Sequence, residues 1–180
     1  VSQLAHAVVP GCEGELDWQP ASTHQPAYFP ERPQSGVTVI IMHGKNGSMY
    51  SSFFEPLRDR LVKLGYNVLI PQMTWSHFWD GTQCQGLNFL QKLVQAEKNQ
   101  GMRVLLMGHS MGGMHSLIYS HLSDHGLEGV IPVAPGHMLP LSQAVIQATQ
   151  ADVNRAHGLV KQGKGNRMFT FDTYNGGRTQ

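Results

Sequence analysis

Only two cysteines, Cys12 and Cys84, occur in the 180 residues, so no disulfide framework organises this chain. The pair is open to two readings, a bridge in an exported protein or two free thiols. An excess of one charge is also lacking. Thirteen lysines and arginines stand against twelve aspartates and glutamates, a formal net charge of +1, and no basic stretch concentrates them. That balance gives no electrostatic case for a nucleic-acid partner. Apolar runs are short, and none approaches the length of a membrane span. Internal repeats and low-complexity segments are missing too. These exclusions leave a chain of one domain or most of one, with 41% hydrophobic residues to build a core.

The chain begins at Val1 rather than at methionine, which reads as a processed or cut N-terminus. Ala5-His6-Ala7 is similar to the A-x-A end of a secretory signal peptide but has no apolar stretch before it. Export and an ordinary small-residue segment both stay open. Prolines at 10, 20, 26, 30 and 33 argue for an extended lead-in over residues 1–35, with room for one edge strand.

Beyond the lead-in, strand and helix patterns alternate. Val37 to Met42 is β-branched and continuously apolar, the mark of a strand buried on both faces. Phe54, Leu57, Leu61 and Leu64 recur at helical spacing, and Gly65 stops that helix. Tyr66 to Ile70 is a second strand and residues 86–99 a second amphipathic helix. Met102 to Met107 is a third strand, with a helix over Met114 to His121 following it. Gly129 to Ala134, a helix over residues 142–162 and a last apolar strand at Met168 to Phe171 complete the pattern. Such alternation predicts an α/β fold, a mostly parallel sheet with helices on both faces. The functional edge is then the C-terminal ends of the strands, where His43, Ser110 and the Pro135-to-His137 segment fall.

One junction carries chemistry. Gly108-His109-Ser110-Met111-Gly112, followed by Gly113, stands between the third strand and its helix. A G-x-S-x-G run in that setting resembles the nucleophile elbow of the α/β-hydrolase fold. There the turn is so sharp that side chains two residues before and after the serine would collide, hence the glycines. The resemblance implies a serine hydrolase with Ser110 as nucleophile. It also implies an oxyanion hole made by the backbone N–H of Met111 and, from the His43-Gly44-Lys45 loop, that of Lys45. The aromatic loop from Trp75 to Trp79 is open to two uses, lining a pocket or covering the sheet edge.

The family's order of nucleophile, acid and histidine is incomplete in this chain. Asp172 follows a strand-like run and is a possible acid, yet no histidine follows it. His137 lies at the right edge of the sheet and is a possible base, but it precedes any acid loop. The expectation is therefore a chain lacking its last strands, with His137 as a rearranged base the alternative. His121 and His125 are spaced for one helix face but have no identifiable third ligand, so no metal is expected. No cofactor is expected either. The partner that the resemblance implies is a small-molecule ester or acyl compound, hydrolysed through an acyl-enzyme. The rival readings are a non-catalytic binding protein on the same fold, and a lyase or acyltransferase.

Overall fold

Val37–Met42 forms strand β2, and all six residues are buried. Its side chains divide by parity, as a pleated strand requires. Ile40 and Met42 enter one apolar cluster, whereas Val39 and Ile41 enter another on the opposite face. The same alternation runs through the neighbouring strands and makes this a sheet covered on both sides. The computed structural model describes residues 8–14, 18, 27–30, 35–76, 81–122, 126–135, 143–165, 167, 169, 171–172 and 178–179. Two compact units divide the chain, Val1–His137 and Met138–Gln180.

In the first unit the other strands are β1 (Ala27–Tyr28), β3 (Asn67–Leu69), β4 (Arg103–His109) and β5 (Gly129–Val133). Their order across the sheet is β1-β3-β2-β4-β5. β2 to β5 run parallel, and β1 is an antiparallel edge strand, short and supplied by the proline-rich lead-in. Helix α1 (Glu55–Lys63) follows a 3₁₀ turn at Ser52–Phe54. With Phe54 it covers one face through Leu57, Leu61 and Val62. Helices α2 (Gln83–Asn99) and α3 (Met111–Leu122) cover the other through Leu87, Leu90, Val94 and Tyr119. On that face Thr38 donates from mid-strand to the Glu97 carboxylate at 2.6 Å, so neither polar group is buried unpaired.

Local chemistry explains the boundaries. Gly65 ends α1 with φ of +87°, where glycine has no Cβ penalty. The Gly65 and Tyr66 amides bond back to the Val62 and Leu61 carbonyls, a Schellman closure. The second helix begins at Gln83, earlier than its apolar spacing predicts. Thr82 and Gln85 form a capping box there: the Gln85 amide donates to the Thr82 hydroxyl oxygen at 3.1 Å and the Thr82 amide to the Gln85 side-chain oxygen at 2.8 Å. The two cysteines are joined: the Cys12–Cys84 disulfide pins the lead-in to the first turn of α2. Asn88 reinforces it by accepting from the Val9 amide and donating to the Cys12 carbonyl.

The second unit holds α4 (Gln143–Lys161), β6 (Phe171–Asp172) and β7 (Arg178–Thr179). Of the strand expected at Met168 to Phe171, Phe171 lies in β6, while Met168 and Thr170 lie outside the described residues. β6 pairs antiparallel with β7 in a two-stranded sheet rather than extending the parallel one. A local partner a few residues away closes a small loop at low entropic cost, and periodicity alone does not name the partner.

Candidate active site

Sheet register brings the site together. Met42 at the end of β2 is paired with Gly108 near the end of β4. Residues 43–47 therefore emerge beside residues 109–111. The chain leaves β2 toward α1 on one face and leaves β4 toward α3 on the other, which opens a crevice between the two strand ends.

β4 passes into α3 through a single residue. Ser110 is that residue, with φ of +54°, a left-handed conformation sparsely populated by anything but glycine. Its amide bonds the Val133 carbonyl of β5 at 3.0 Å, and its carbonyl accepts from the Met114 amide as α3 begins. The flanking glycines are dictated by backbone. A Cβ on Gly108 would lie 2.2 Å from the Gly112 carbonyl, and one on Gly112 would lie 2.5 Å from the Met42 oxygen. Gly44 presses on the serine from the other side, where a Cβ would sit 3.1 Å from that of Ser110.

A cavity of about 250 Å³ opens at this point. His43, Gly44, Lys45 and Gly47 line one side and His109 and Ser110 another, while Ser51, Phe53 and Phe54 close it. The exposed Phe53 ring lies 5.3 Å from that of His109. Met111, the first residue of α3, sits where helix geometry supplies no preceding carbonyl for its amide.

Behind the cavity lies a buried polar group. His43, only 1% exposed, places Nδ1 2.8 Å from the Gly44 carbonyl and Nε2 2.8 Å from the Ser76 hydroxyl. A carbonyl only accepts, so Nδ1 carries the proton and Nε2 accepts from Ser76. The Trp75 indole N–H donates to the His43 carbonyl at 2.9 Å. On the far side of Trp75, the His115 ring stacks at 4.0 Å. Its Nδ1 donates to the Met111 carbonyl at 3.1 Å, and its buried Nε2 has no partner among the described residues. Burial pushes the His115 imidazole down to about 4, against the smaller opposing pull of the Met111 carbonyl.

No family model matches the chain. A 4-hydroxy-tetrahydrodipicolinate synthase from Campylobacter curvus is 26% identical over 119 residues, 66% of this chain and 40% of that protein. Solved structures resemble it more extensively. A thermostable carboxyl esterase from Bacillus coagulans superposes with a TM-score of 0.55 at 18% identity over 79% of this chain. The α/β-hydrolase GrgF from Penicillium sp. sh18 superposes with a TM-score of 0.57 at 14% identity over 85%. The fold is that of the α/β-hydrolases. At these identities the likeness is one of fold, and the chain spans 47% of the esterase and 55% of GrgF.

Within this α/β-hydrolase fold, Ser110 and the loop bearing Lys45 meet at one crevice, and Met111 follows Ser110 as the first residue of α3. Asp172 belongs to β6 of the second unit. His137 lies outside the described residues, as do His77, Phe78 and Trp79 of the aromatic loop and His125. Trp75 is core: it is 1% exposed, belongs to the apolar cluster under α2 and α3, and is not among the residues lining this cavity. Ser76, Phe53 and the hydrogen bonds of His43 to Gly44 and Ser76 go unread in the sequence. The only signals are a histidine ending a buried strand and a serine inside an aromatic cluster, and neither names its partner.

Proposed function

We propose that this chain carries the nucleophile and oxyanion hole of a serine hydrolase acting on carboxylic esters. One observation carries the reading: Ser110 is held at φ of +54° between a strand and a helix, at the mouth of a cavity, by glycines that no larger residue could replace. Strain retained at a solvent-reachable serine is characteristic of function rather than packing. The Ser110 hydroxyl attacks the ester carbonyl and passes its proton to a base as the tetrahedral oxyanion forms. The Met111 and Lys45 amides stabilise that oxyanion. Collapse expels the alcohol, which takes up the proton, and water then releases the acid and regenerates the serine. His137, which follows β5 in the chain, is the candidate base and Asp172 the candidate acid. His43 is unsuited to the role of base because Ser76 and the Gly44 carbonyl engage its ring nitrogens. A small-molecule ester is the proposed substrate, and the carboxyl esterase among the structural neighbours supports that class. The Cys12–Cys84 disulfide supports a place in an oxidising compartment.

The test uses the natural full-length protein and a fluorophosphonate probe. Labelling is expected on the peptide containing Ser110, and Ser110→Ala is expected to lose both the label and turnover of p-nitrophenyl esters. Turnover that survives Ser110→Ala overturns the nucleophile assignment. Absence of both labelling and turnover in the unmodified protein favours a binding role on the same fold.

A further inference from the structure

The Lys45 amide is part of the peptide unit whose carbonyl belongs to Gly44, and that carbonyl is held unusually firmly. It accepts from the His43 Nδ1–H at 2.8 Å and from the Gly47 amide at 3.0 Å. The Gly44–Lys45 peptide is trans, so the Lys45 N–H points opposite to the Gly44 carbonyl. Whatever fixes the carbonyl aims the amide. Two donors on one carbonyl also polarise the peptide and strengthen its N–H as a donor.

His43 can donate from Nδ1 only in one tautomer, and that tautomer needs a donor to Nε2. Ser76 supplies it. The Met73 amide donates to the Ser76 oxygen at 3.1 Å, which leaves the hydroxyl proton for His43 Nε2 at 2.8 Å. The pair is shut away from water, with His43 1% and Ser76 3% exposed. The same loop grips the 43–47 turn at two further points. The Trp75 indole N–H holds the His43 carbonyl at 2.9 Å, and the Trp75 carbonyl accepts from the Asn46 amide at 3.3 Å. From below, the backbone of Gly112 lies so close to the Met42 and His43 carbonyls that a Cβ there would fall within 2.8 Å of both. The turn after β2 is thus locked to the loop after β3 and to the start of α3.

We propose that Ser76 and His43 are positioning residues that set the Lys45 amide as an oxyanion donor, Ser76 by fixing the His43 tautomer and His43 by holding the Gly44 carbonyl. This rests on the reading of Ser110 as nucleophile. The effect belongs to the transition state, because the amide acts where charge develops and not on the bound ester. Loss of the brace therefore lowers kcat and leaves KM nearly unchanged.

The experiment measures kcat and KM on p-nitrophenyl butyrate, and inhibition by a trifluoromethyl ketone whose adduct carries an oxyanion, in the full-length protein. Three variants are compared, with far-UV circular dichroism and melting temperature as checks of folding. Ser76→Ala and His43→Gln are expected to lower kcat about tenfold to a hundredfold at similar KM, with ketone inhibition weakened in step. The Asn amide can reach the Nδ1 position and donate to Gly44, whereas the Gln amide reaches only the Nε2 position. His43→Asn is accordingly expected to recover most of the turnover that His43→Gln loses. Unchanged kcat in Ser76→Ala, or equal losses in folded His43→Asn and His43→Gln, overturns the positioning role while the hydrolase reading stands. Failure of the unmodified protein both to turn over ester and to take up fluorophosphonate at Ser110 overturns both.

Discussion

Ser110 illustrates how one residue can be costly to the fold and still be kept. A left-handed backbone costs an L-residue about 1–2 kcal/mol, and only glycine escapes it. Replacement by alanine or by glycine removes the hydroxyl equally, so both variants should lose ester turnover. They should differ in stability: Ser110→Gly is expected to be more stable than Ser110→Ala by about 1 kcal/mol, part of the strain relief being offset by the freer unfolded chain. Urea unfolding of the two variants decides it, and the opposite order would show that the strain is not borne at this residue. The serine and its glycines are legible in the sequence because the constraint is local. The Gly108 and Gly112 positions meet backbone within the same turn or the adjacent strand end, so only one residue type fits. Ser76 is not legible, because its meaning lies in a histidine 33 positions away.

At the scale of elements, the covalent tie between the lead-in and α2 restrains the chain over a long loop. Cys12 and Cys84 are separated by 72 positions, and closing a loop of that length in the unfolded chain removes entropy worth about 4 kcal/mol. The Cys12→Ser, Cys84→Ser double variant should lose about that much stability in denaturant titration, with a larger m-value as the unfolded chain expands. A loss below about 1 kcal/mol would mean that the bridge does not restrain the unfolded state. Central strands β2 and β4 are readable from their unbroken apolar runs, since both faces of each are covered. The pairing of the cysteines is not readable, because spacing does not say which segments the fold brings together. Helix starts are misjudged for a similar reason. α2 begins with its polar capping box, and α3 begins at Met111, within glycines that resemble loop.

For the molecule as a whole, strand order decides where chemistry can occur, and the buried groups behind that place decide the pH at which it survives. β2 lies at the centre of the sheet with β3 on one side and β4 on the other, so successive crossovers move in opposite directions and leave the crevice beneath Ser110. His115 lies behind it, stacked on Trp75, and is kept neutral by burial at about 4 against an unfolded value near 6.5. Between those two values the unfolded chain binds a proton that the folded chain does not, so folding stability falls as pH falls. The contribution is complete above about pH 6.5, is lost progressively on acidification and levels off below about pH 4, for a total of about 3 kcal/mol. A phenylalanine at this position keeps a ring against Trp75 and has nothing to protonate. The difference in unfolding free energy between the wild type and His115→Phe should therefore be constant from pH 8 to about 6.5 and then shift in favour of the variant down to about pH 4. Titrating carboxylates such as Glu13 and Asp59 act in both proteins and cancel in that difference. A difference that stays flat across the whole range would show that His115 takes up its proton in the folded protein as easily as in the unfolded one.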